Sequence, residues 1–114
     1  MQTTREFEPA DRYVYDWGIC SIANGFAQVD TSQDASYYGT WANPDKLAIV
    51  NYCEGDVTCQ IAETPAEFVA AIYALRDWAN QMATNGFKGI DCGFRENSPI
   101  AARFKALGLG DLLH

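Results

Sequence analysis

The sequence predicts an α+β domain: an antiparallel β-meander of four or five strands with two C-terminal helices packed on one face. Three observations predict it. Residues 13–62 are rich in aromatic and β-branched side chains and are cut at short intervals by Gly, Asn, Pro and Asp. Beyond residue 63 the apolar spacing changes from every second residue to the helical i, i+3, i+4 pattern. The links between the early apolar runs are too short for parallel crossovers, so neighbouring strands must run antiparallel. The chain has 114 residues, 48% of them hydrophobic. That suffices for one core, and residues 1–114 read as a single domain.

Residues 1–12 are polar, contain Pro9 and read as a loose N-terminal arm. The sheet follows over 13–62. "RYVYDWGICSI" has strand texture broken by Gly18, and "GFAQVDT" alternates Phe26, Gln28 and Asp30 with Ala27, Val29 and Thr31. "TSQD" is turn chemistry, "SYYGTWA" a second strand, and "NPD" at 43–45 its end. "KLAIVNYC" is nearly all apolar and reads as a central strand. "EGD" reverses the chain into "VTCQIA". The first helix spans 64–85: Thr64 is its N-cap, Pro65 its first residue and Glu67 the third member of a capping box. Phe68, Ile72, Leu75, Ala79 and Met82 form its apolar face, and Asn85-Gly86 stops it. The second helix spans 98–107, with Ser98 as cap, Pro99 next, Ile100, Phe104 and Leu107 on one face, and Gly108 at its end. "GFKGIDCGF" between them reads as a connector.

The pleat divides "YYGTW" between two faces. Tyr37, Gly39 and Trp41 share one, Tyr38 and Thr40 the other. The bulk of Trp41 suggests that its face meets the helices, which leaves Tyr38 pointing outward.

Charge is unevenly placed. The net charge is −7, and residues 13–75 alone hold eight acids against one base, Lys46. Such a segment repels phosphate backbones, so no direct nucleic-acid binding is expected. It suits a basic partner surface. No apolar run reaches the ~20 residues of a membrane helix, and the first residues have no apolar signal core, so the expected location is the cytoplasm.

Catalytic and cofactor signatures are sparse. Cys20, Cys53, Cys59 and Cys92 form no C-x-x-C pair, and the sole histidine is His114. Neither a metal site nor a nucleophile–histidine pair is supported. Four reduced thiols are expected, with a Cys53–Cys59 disulfide across the last hairpin as the alternative. Asp30, Ser32 and Asp34 imitate the opening of a calcium loop, but Ala35 stands where its glycine is needed and Trp41 where its glutamate is needed. No phosphate-binding glycine motif occurs, and no cofactor is assigned.

"YDWG", "YYGTWANP", "YCEGDVT" and "LGLGDLL" together resemble small uncharacterised acidic proteins of bacterial mobile elements such as phages, plasmids and integron cassettes. The resemblance implies an accessory protein that binds a host protein; it carries no activity. With the charge layout, it leads to an expected binding module, not an enzyme. The acidic, Tyr-bearing open face of the sheet would meet a basic protein through Asp16, Asp30, Asp34, Tyr38, Glu54 and Asp56. One rival is a ligand-binding domain or small hydrolase with Trp17, Tyr37 and Trp41 lining a pocket between sheet and helices. The other is a homodimer that buries the open face.

Overall fold

The computed structural model describes residues 25–30, 38–53, 56–82, 86–92 and 98–114; at 38, 52, 53 and 56–58 it describes the backbone. The arm at 1–12 and the strand expected before residue 25 lie outside these residues. The described elements are β1 (Ala27–Val29), β2 (Tyr38–Asn43), β3 (Ala48–Cys53), β4 (Asp56–Ile61), α1 (Pro65–Met82), β5 (Ile90–Asp91) and α2 (Pro99–Ala106), followed by a 3-10 turn at Gly110–Leu112. The fold is α+β, and its strands form one antiparallel sheet in the order β4-β3-β2-β1-β5. No helix among the described residues is long and apolar enough to cross a membrane.

The meander from β1 to β4 follows the sequence reading. The β2–β3 turn is held by Asn43, whose buried side-chain oxygen accepts from the amides of Asp45 (2.9 Å) and Lys46 (3.0 Å). This is the self-bonding turn chemistry expected of an Asn-Pro-Asp sequence. Leu47 closes the turn at a φ of 52°. The fifth strand departs from the reading, which made 86–94 a connector. After α1 the chain returns to the far edge of the sheet, where Ile90 pairs with Val29 and Asp91 with Gln28. Two residues are too few to show a period of two, so the pairing left no pattern in the sequence.

The core lies between the sheet and the helices. Ala27 pairs with Ala42, Ala42 with Ile49, and Val29 with Ile90, which puts these five residues on one face. They form one buried cluster with Phe68 and Ile72 of α1, Ile100 and Phe104 of α2, and Leu109 and Leu112 beyond it. The Phe68 and Phe104 rings lie 6.4 Å apart, and both are fully buried. Small and medium residues on the strands thus face large ones on the helices.

Trp41 is therefore on the other face. The expected orientation of "YYGTW" is reversed: Thr40 and Ala42 look toward the helices, with Tyr38 at the same parity, whereas Gly39 and Trp41 look away. A Cβ built on Gly39 would overlap the Trp41 ring, so the ring lies along its own strand over the glycine. Trp41 stands across from Gln28 and Val50, and Val50 across from Cys59. Ala48, Val50 and Cys59 are all buried on this second face. Over β3 it is thus apolar and closed, where an open acidic surface was expected.

Both helices begin, and α2 ends, as their sequences dictate; the expected end of α1 at Asn85 lies outside the described residues. Thr64 Oγ1 accepts from the Glu67 amide (3.2 Å), and Glu67 Oε2 accepts from the Glu63 amide (3.1 Å). Ser98 Oγ accepts from the Ala101 amide (3.2 Å). At the end of α2 the Gly108 amide donates to Lys105 and the Leu109 amide to Phe104, a Schellman closure that buries Leu109 beside the Phe104 turn. The chain then joins the sheet edge through a parallel Ile90–Leu113 bridge and a His114 amide donated to Ile90.

Gly89 permits this closure. Its φ is 124°, and an added Cβ would lie 2.8 Å from the Leu112 carbonyl oxygen and 2.9 Å from the His114 Cβ. Gly108, at a φ of 85°, has open space where its Cβ would stand. Gly108→Ala should therefore cost only the backbone strain, about 1–2 kcal/mol. Gly89→Ala should cost more and should also speed hydrogen exchange at the His114 amide. Urea unfolding of the two variants, with exchange at that amide, checks the order; equal losses would contradict the edge pairing.

Candidate functional site

The strands place the acidic residues at one end of the sheet. β1 finishes at this end, and the next amide, of Asp30, donates to the Gly89 carbonyl (3.1 Å). β2 starts there at Tyr38, whose backbone partner is Cys53, and β4 starts there at Asp56, also opposite Cys53. Two residue pairs inward, the hydroxyl of the buried Thr40 donates to Asn51 Oδ1 (2.9 Å), a polar link between β2 and β3. Asp34 and Glu54 lie outside the described residues, as do Asp16, Trp17 and Tyr37.

Three of the six expected binding residues are thus brought to one end, but not to one face. Tyr38 and Asp56 have the parity of the helix-bearing face, and Asp30 that of the opposite face. Trp41 faces away from the helices, so it lines no pocket between the layers; there Phe68, Phe104, Ile49 and Ile90 fill the space.

α1 brings apolar groups to the same end. It runs 18 residues, about 27 Å, from the Ile61 end of β4. Its Asn80 Oδ1 accepts from the Phe87 amide (2.9 Å), two residues before the Gly89 that receives Asp30. The last turns of α1 therefore sit beside the acidic end. They hold the two exposed large hydrophobic residues among those described, Trp78 (53% exposed) and Met82 (66%). Met82 was placed on the buried stripe, but it is exposed, although Phe68, Ile72 and Ala79 of that stripe are buried. The warning in the sequence was an apolar arc wider than one sheet face needs. The last turn of α1 carries no basic residue, so the negative end of its dipole is not offset locally.

Other acids are engaged in structure. Glu67 serves the α1 cap, Asp45 pairs with Arg103 (2.9 Å) across the opposite end of the sheet, and Asp77 pairs with Arg76 (2.9 Å). The Arg76 guanidinium also lies 4.8 Å from the Tyr73 ring centre.

The described thiols are poor nucleophiles. Cys59 is buried, and burial pushes the Cys92 thiol up to about 11, with the neighbouring Asp91 carboxylate adding to the shift. The disulfide alternative fails on register: Cys53 pairs with Asp56 and Cys59 with Val50, so the two cysteines sit on opposite faces. Neither Cys59 nor Cys92 is in a disulfide. Among the described residues no group of three His, Cys, Asp or Glu side chains is placed to hold a metal. Compared with family models, curated proteins and solved structures, the chain gives no match.

The raised Cys92 thiol makes a pH prediction. Its folded pKa exceeds the unfolded value of about 8.5, so the folded state holds the proton longer. The associated stability is present below about pH 8.5 and should be lost as pH rises toward about 11. Thermal melts of the parent should therefore fall more steeply across that window than those of Cys92→Ala. Parallel curves would remove the thiol as the cause.

Proposed function

We propose that this protein is a non-enzymatic binding module that engages a basic protein surface through the acidic end of its sheet. The observation that carries the reading is topological. Tyr38 and Asp56 start strands at one end of the sheet, and Asp30 directly follows the strand that finishes there. The open acidic face expected from the sequence is replaced by an acidic end. Loops and strand ends carried on a rigid sheet are a common place for recognition, because the scaffold fixes their spacing. Acids there attract a basic partner from beyond contact distance, and salt shortens that reach to about 8 Å at ~0.15 M. A second support is the pairing of Asp45 with Arg103 at the opposite end of the sheet, which leaves that acid less field to offer a partner. In this reading the chain is a bacterial accessory protein acting in the cytoplasm on a basic host protein.

Affinity capture from a bacterial lysate at low and high salt, with the parent and an Asp30→Lys/Asp56→Lys variant, tests it. Basic proteins should be retained by the parent at low salt and lost on adding salt or on charge reversal. Retention indifferent to both would overturn the proposal.

A further inference from the structure

We draw no further inference here: the strongest candidate, the exposed ridge of Trp78 and Met82 along the last turns of α1, carries nothing because its neighbour Asp77 is paired with Arg76 and nothing in the structure shows what covers it.

Discussion

The parity of β2 is the constraint from which the rest of the arrangement follows. Ala42 pairs with Ala27 on one side and Ile49 on the other, and this small-to-medium row is what Phe68 and Phe104 need beneath them. A shift of one residue would put Trp41 in that row and force two layers of large rings into the space of one. The same parity sends Trp41 over Gly39 on the second face and leaves Thr40 facing inward, where it must bond to Asn51. A buried hydroxyl without that partner would cost about 1–3 kcal/mol, so the polar link between β2 and β3 follows from the apolar packing beside it.

This explains which parts of the fold were legible. Helix boundaries were, because capping is local: Thr64, Glu67, Ser98, Pro99 and Gly108 each act within a few residues of themselves. The β1–β4 meander was legible from short turns and alternation. The orientation of β2 was not. Both of its parities contain apolar and aromatic residues, and the choice depends on how much volume the helices deliver, a fact about residues 26 or more positions away. β5 was hidden for a different reason. Its two residues pair with a strand some sixty positions earlier, and the glycine that admits the C-terminal segment resembled connector chemistry.

The candidate site was half legible for the same reason. Counting acids names a stretch of chain, but a count gives neither face nor end. Register does: Asp30 and Asp56 diverge in parity yet converge in position along the strands. Counting also treats all acids alike, whereas Glu67 completes a cap and Asp45 and Asp77 are held by arginines. Such exposed pairs contribute at most about 1 kcal/mol each to stability, but they lower the field that those acids offer a partner.

The residues of α1 divide between two uses. Phe68, Ile72 and Ala79 are fully buried, so the core side of the helix stays engaged into its last turn. Trp78 and Met82 flank that stripe and stay more than half exposed, while Phe68, Phe104, Ile49 and Ile90 fill the space between the layers. Apolar spacing in the sequence therefore overstates the buried arc of the helix: the pattern records which residues could be buried, and the facing layer decides how many are.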